Sequence, residues 1–379
     1  DSRTSTPEGQ QELVSRLTPD GTYFFIDLAE GYQARNPNII PHPSRSDAWI
    51  VVAQQHRGAL GNHDQTPWST ERACTAVFQP GGNLTCDEPS EALPMAATAW
   101  SPHCTDDLAM LNLNVGPHDA RVFYGPDVPY AMYGSQSSIG CLGQFVQDFR
   151  FLVDWGAFRT ADDIFSQGTE LHSPEHSIIQ KNFFLLWDSH GERYLHTHLH
   201  PQRVYAKALP DGTAGDNIAP QAATTDEQCW QTHLQRNPLD NLPSAVDRAS
   251  VHQATNSLAV TLCPRHECER NVDNTFIMHV FQHKVPYGLG GVYYLPFVVL
   301  FRETYPFNIY AISTKPLWIR GRGETTEMHY MTSMSWKSQD QRYHGYLDDP
   351  LFLAFGIQDR LAAAVDVTAE SLLRELHTC

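Results

Sequence analysis

The chain has 379 residues, 41% hydrophobic and 18% charged, which fits a compact globular protein and excludes disorder for its bulk. A net charge of −17 without any Lys/Arg run excludes a nucleic-acid partner and reads as a solvated acidic surface. No apolar stretch is long enough to span a membrane and the first residue is Asp1, so we read the chain as a mature or trimmed lumenal domain.

Residues 1–35 form a lead-in whose first twenty positions are polar and expected to be partly helical. From residue 36 the chain reads as short β-branched and aromatic runs bounded by Gly, Pro, Asn and Asp, expected to be strands. They gather into clusters. The first holds 36–41, 48–54 and 73–79, and the second 119–123, 129–135 and 144–153. The third holds 181–187, 194–199 and 203–207, and the fourth 254–262, 275–282, 292–301 and 309–313. The last holds 328–336, 351–355 and 363–367, followed by a short amphipathic helix expected over 369–377. The polar segments 156–177 and 208–250 read as long loops.

Each cluster supplies three or four strands, the content of one propeller blade, although a β-sandwich also offers many short strands. Eight cysteines without a CxxC pair argue for disulfides in an oxidising compartment rather than a zinc site. The expected pairing is Cys74–Cys86, Cys104–Cys141, Cys263–Cys268 and Cys229–Cys379, with other connectivities open. A sequon at Asn83-Leu84-Thr85 agrees with passage through the secretory pathway.

Three motifs open successive clusters: Asn36-Pro37-Asn38-Ile39-Ile40, Gly116-Pro117-His118-Asp119-Ala120-Arg121-Val122-Phe123 and Lys181-Asn182-Phe183-Phe184. With His200-Pro201-Gln202-Arg203-Val204 and the closing Phe355-Gly356-Ile357-Gln358-Asp359, their order resembles the five-bladed β-propeller group of glycoside hydrolases, mannoside phosphorylases and β-mannosyltransferases. The resemblance spans roughly residues 36–376 and implies a single all-β, five-bladed propeller over 36–379 with an axial site. The chain departs from the phosphorylases at His118, where they carry a second acid, and at Ala120, where they carry proline. Its run Tyr343-His344-Gly345-Tyr346-Leu347-Asp348-Asp349 looks more like uncharacterised fungal secretory relatives.

Sugar chemistry needs a carboxylic acid, often with a second carboxylate or a phosphate, and groups that seat the ring. Asp119 is the first catalytic candidate, with a salt bridge to Arg121 as its structural alternative. Asp348 and Asp349 are further candidates; adjacent strand residues face opposite sides, so one of them reaches the axis unless Pro350 marks a plain turn. Arg57, Arg121, Lys181, His283 and Lys284 are candidates to hold an anionic donor or phosphate. Asn36, His118, Asn182, Asn256, Tyr343 and His344 are candidate substrate contacts, and Trp100, Trp155, Trp187 and Trp336 candidate stacking platforms. His196, His198 and His200 alternate along a strand, but roughly 7 Å between same-face neighbours is too far for one ion, so no metal is expected.

No nucleophile elbow, Walker loop or dinucleotide fingerprint is present. The leading expectation is a glycosyltransferase acting on mannose-type glycans in the Golgi or outside the cell. A glycoside hydrolase or phosphorylase and a non-catalytic glycan-binding propeller are the alternatives. No cofactor is firmly implied; a sugar-nucleotide donor or inorganic phosphate is the candidate co-substrate, and a carbohydrate the partner.

Overall fold

The β-branched and aromatic runs become strands where turn residues bound them. The computed structural model describes residues 6–28, 34–55, 69–96, 98, 104–113, 116–155, 158–160, 162–237 and 250–379. Among these residues the long strands form antiparallel runs in chain order. The first run is Ala34–Pro41, Trp49–Gln55, Glu71–Phe78 and Leu84–Cys86. The second is His118–Tyr124, Pro129–Gln136, Leu142–Asp148 and Thr169–Leu171. The third is Phe184–Trp187, Arg193–His198 and Val204–Lys207. The fourth is Ser250–Thr261, Thr275–Tyr287, Gly291–Arg302 and Ile309–Ser313, and the fifth His329–Trp336, Pro350–Ile357 and Leu361–Thr368.

Strand residues alternate between faces, and both faces of each run are buried, in different cores. Ile40, Ile50 and Val52 pack with Val122, Ala131 and Tyr133 of the second run. Their neighbours Ile39, Val51 and Ala53 belong instead to a core with Phe352, Ala354 and Ala364 of the fifth. Phe184 and Leu186 join Ile277, Phe281 and Val299 of the fourth run, whereas Trp187 packs against Phe123 and Tyr130 of the second. Met278, Val280 and Leu300 share their core with Met334, Leu353 and Phe355, which completes the circuit. A two-layer sandwich would leave one face of each sheet to solvent. Here sheets stand face to face around a centre, which is a propeller-type all-β fold.

The lead-in departs from expectation. Instead of a helix it supplies Gln11–Leu13, parallel to Leu317–Ile319, and Phe24–Asp27, which joins Leu361–Thr368 of the last run to Leu84–Cys86 of the first. Phe24 and Ile26 are buried while Phe25 and Asp27 are exposed, the two-residue period of a strand. Segment 208–250, expected as loop, contains the helix Ala223–Arg236. Asp226, Cys229, Trp230 and His233 form its buried face at helical spacing. The closing helix is shorter than expected: Ala369–Leu372, capped by Thr368, gives way to a strand, Leu376–Thr378, on the outer edge of the fourth run.

Disulfides join Cys74 to Cys86, Cys104 to Cys141, Cys229 to Cys379 and Cys263 to Cys268, as suits an oxidising compartment. Asn83 is exposed. Among the described residues no helix is long and apolar enough to cross a membrane.

Candidate active site

The innermost strands of the five runs, beginning at Ala34, His118, Phe184, Ser250 and His329, converge at the centre. Four of them break register there: between Arg35 and Asn38, His118 and Arg121, Gln253 and Ser257, and Met331 and Ser333. Such bulges re-aim side chains and free backbone groups. Asn36, Asp119 and Asn182 occupy left-handed backbone at φ 52°, 53° and 59°. Asn and Asp tolerate that region better than other side-chain-bearing residues. The three motif residues are therefore equivalent corners of successive inner strands.

Asp119 is exposed while residues 116–118 and 120–124 around it are buried. Asn36 donates its side-chain amide to Asp119 Oδ1 at 2.6 Å. The Asp119 N–H donates to Gln54 Oε1 at 3.0 Å, and the next N–H, of Ala120, donates to Glu71 Oε1 at 3.1 Å. Arg121 donates to the Asp119 carbonyl at 2.9 Å and to the Ala254 carbonyl of the fourth run at 3.0 Å. Its guanidinium lies 5.8 Å from the Tyr330 ring centre. Arg121 thus holds backbone, and the exposed Asp119 keeps its carboxylate on the Asn36 amide.

Glu71, which the sequence reading missed, is fully buried beneath this corner. Burial pushes its carboxyl up to about 8, and the nearby Asp119 charge acts in the same direction. Its Oε2 has no hydrogen-bond partner, nor has Nε2 of the buried Gln54. A lone Glu at the start of an apolar alternation carries no sequence signal for such a role.

Beside the centre lies a cavity of about 610 Å³ between the third and fourth runs, lined by Lys181, Asn182, His198, His252 and Gln253 among others. Lys181 is exposed and Asn182 half-buried. Lys284 is half-buried, and its charge and that of Lys181, after burial itself, hold the His252 imidazole down to about 4. A chain of hydrogen bonds backs this wall. Arg203 donates Nη1–H to Asp226 at 2.9 Å and Nε–H to His196 Nε2 at 2.8 Å. Arginine can only donate, so His196 carries its proton on Nδ1 and gives it to Gln253 Oε1 at 2.6 Å. Gln253 then donates to the Asn182 carbonyl at 2.8 Å, which holds the left-handed corner. Burial and the Arg203 charge keep the His196 imidazole neutral, well below its ordinary range.

Other sequence candidates stand elsewhere. Asp348 accepts from the Arg265 N–H at 2.8 Å, and Asp349 from Arg265 Nη2, Gln341 Nε2 and the Tyr346 N–H at 2.5, 2.6 and 2.7 Å. The adjoining strand His344–Tyr346 pairs with Ala259–Thr261, the far end of an inner strand that begins at Ser250. The pair is therefore a tied turn at the opposite end of the fold from Asp119. Tyr343 bonds Ser257 Oγ at 2.9 Å and His344 bonds Thr261 Oγ1 at 2.7 Å, at that same end. Asn256 is 1% exposed and its amide is taken up by the Met334 N–H and C=O at 2.9 and 3.0 Å, a stitch between inner strands rather than a sugar contact.

His283 is buried, 3.1 Å from His233 and packed against Phe297, and burial holds its imidazole well below its ordinary range. His118 turns into the sheet against Gly134. Trp187 and Trp336 are core residues, and Trp155 packs on Phe149. Arg57 and Trp100 lie outside the described residues. His196 is buried, His198 exposed, and a register shift separates them; among the described residues no group of three ligating side chains suits a metal.

No family model matches the chain, and no curated protein sequence does. Solved structures similar to it include a β-1,2-mannobiose phosphorylase from Listeria innocua, 13% identical over 96% of both chains with a TM-score of 0.47. A glycosyl hydrolase from Bacteroides ovatus is 11% identical over 98% of both chains with a TM-score of 0.46. A GDP-Man-dependent mannosyltransferase from Leishmania mexicana is 9% identical over 91% of this chain and 89% of that one, with a TM-score of 0.43.

Proposed function

We propose that the chain is a carbohydrate-active enzyme, a glycosyltransferase acting on mannose-type or related glycans in the lumen of the fungal secretory pathway. In this reading the five runs are the five blades of one propeller domain, which begins before residue 36 because the lead-in strand Phe24–Asp27 joins the last run to the first. The observation that carries it is the exposed Asp119 carboxylate, pinned by Asn36 where the inner strands meet; Asn182, which lines the cavity with Lys181, holds the same left-handed corner on the next inner strand.

Asp119 is the acid–base group: it takes the proton of the attacking acceptor hydroxyl, or in the reverse direction protonates the leaving oxygen. Lys181 and Lys284 hold the anionic part of the donor, the diphosphate of a sugar nucleotide. Arg121 and Asn36 set the geometry of the corner. A Golgi lumen supplies such donors, and Asn83 carries N-linked glycan there.

The same two lysines also suit free phosphate, which supports a phosphorylase as the second reading. Incubation with sugar nucleotides and a mannoside acceptor should release nucleotide in an acceptor-dependent way, and Asp119→Asn should abolish the release. Formation of sugar 1-phosphate from mannosides and inorganic phosphate would select the phosphorylase instead. Silence in both assays, with sugar binding unchanged in Asp119→Asn, would leave a glycan-binding propeller and sink the enzyme reading.

A further inference from the structure

Gln54 and Glu71 stand directly opposite each other on neighbouring strands of the first run, so their side chains leave the sheet side by side. Both are fully buried. They reach across to the second run and take two successive N–H groups of its bulge, Asp119 on Gln54 Oε1 and Ala120 on Glu71 Oε1. Arg121 donates to the Asp119 carbonyl between them. The backbone that carries the Asp119 carboxylate is thus held by three side chains.

A glutamine has no proton to lose and an arginine keeps its charge in proteins, so of these three Glu71 alone can change state. Burial favours its neutral form up to about pH 8. In that form Oε1 is the carbonyl oxygen that accepts the Ala120 N–H, and Oε2 carries the proton. Among the described residues, the charges that bear on it are Asp119 and Arg121 on the second run and Arg35 on the first; Asp119 opposes its ionisation and the two arginines favour it. An ionised Glu71 places a second negative charge behind Asp119, on a carboxylate whose Oε2 is buried without a partner. A charge so placed is costly unless water enters or neighbours move, and the neighbours at hand are the N–H groups that hold the corner. We propose that Glu71 is a positioning residue for Asp119: its neutral acid holds the corner in the geometry that serves transfer, and loss of its proton releases the corner and switches turnover off.

The proposal rests on the reading of Asp119 as the acid–base group, and a readout that needs no turnover keeps the two apart. The full chain, labelled with ¹⁵N-alanine, is titrated from pH 6 to pH 9.5, with the Ala120 amide resonance assigned by its loss in Ala120→Gly. That resonance should shift with one midpoint at about 8 in the parent and stay fixed in Glu71→Gln. Turnover, read as nucleotide release or as sugar 1-phosphate formation, should fall in the parent by about tenfold per pH unit above that midpoint, the slope of a one-proton loss. Glu71→Gln, which cannot ionise, should lose that alkaline limb. Glu71→Leu removes the acceptor at similar size and should lower kcat about tenfold at pH 6.5 with KM in place, since Asp119 acts in the chemical step.

An Ala120 resonance without a midpoint in this range would overturn the positioning role. So would an alkaline limb that persists in Glu71→Gln, or full kcat in a folded Glu71→Leu. A titrating Ala120 in a chain without turnover of either kind at any pH would keep the proton-held corner and overturn the enzyme reading.

Discussion

Asn36 donates to the Asp119 carboxylate across 2.6 Å, and both residues hold left-handed backbone at equivalent corners of neighbouring inner strands. The exposed carboxylate thereby has one fixed orientation although it is exposed. Asn36→Gly removes the amide and keeps the backbone, since glycine enters φ > 0 freely. We expect turnover to fall about tenfold or more, the worth of a hydrogen bond to a charged group, with little change in thermal stability. Steady-state kinetics beside a melting curve checks it; a variant with full turnover would remove Asn36 from the site.

Glu71 predicts a pH dependence of stability. Its folded carboxyl sits at about 8, above the ordinary 4.5, so between those values the native state holds a proton that the unfolded chain releases. Its contribution is full below about 4.5, declines as pH rises, and levels off above about 8. Glu71→Gln keeps the neutral shape and does not titrate. The stability of the parent relative to Glu71→Gln should therefore fall from pH 5 to pH 8 in denaturant titrations, and a difference that rises over that range would contradict the assignment.

Arg203 and Asp226 are buried together, so removing one partner strands the other. Arg203→Met should cost about 3–5 kcal/mol, and Arg203→Met with Asp226→Leu should recover most of that loss. Urea unfolding of the single and double variants measures it. Equal losses in both would mean that the pair is not the source.

Asp349 and Asp119 separate structure from chemistry. Asp349→Asn loses the ion pair to Arg265 and should lower the melting temperature while turnover of the folded protein is retained. Asp119→Asn should do the reverse. Loss of turnover without loss of stability in Asp349→Asn would return that turn to the active site.

Much of the strand content was legible, because turn residues punctuate β-branched and aromatic runs. The choice of propeller over sandwich was legible in the ordered motifs and their resemblance, not in the strand content, because a run of buried residues reads alike in both folds. In the structure it shows in neighbours such as Ile39 and Ile40 entering different cores. The corners Asn36, Asp119 and Asn182 were visible as motifs. Their left-handed backbone supplies the physical reason for Asn and Asp at those points. For Asp348 and Asp349 the sequence left a catalytic role and a turn beside Pro350 both open, and the structure ties them into a turn. The helix Ala223–Arg236 was hidden by polar residues on its exposed face. Glu71 and Gln54 acquire meaning only when the second run is laid across them, which is a long-range fact that local sequence does not carry.

The strand Phe24–Asp27 has a consequence for the order of events during synthesis. It is made long before one of its partners, Leu361–Thr368: Phe24 pairs with Ala364, 340 residues later. Phe24–Asp27 must wait, unpaired on one side, until that distant partner has been made. Closure by so distant a pair makes for slow, late-finishing folding. A chain stalled before residue 361 would present the Phe24–Asp27 edge for chaperones or for a second copy to capture.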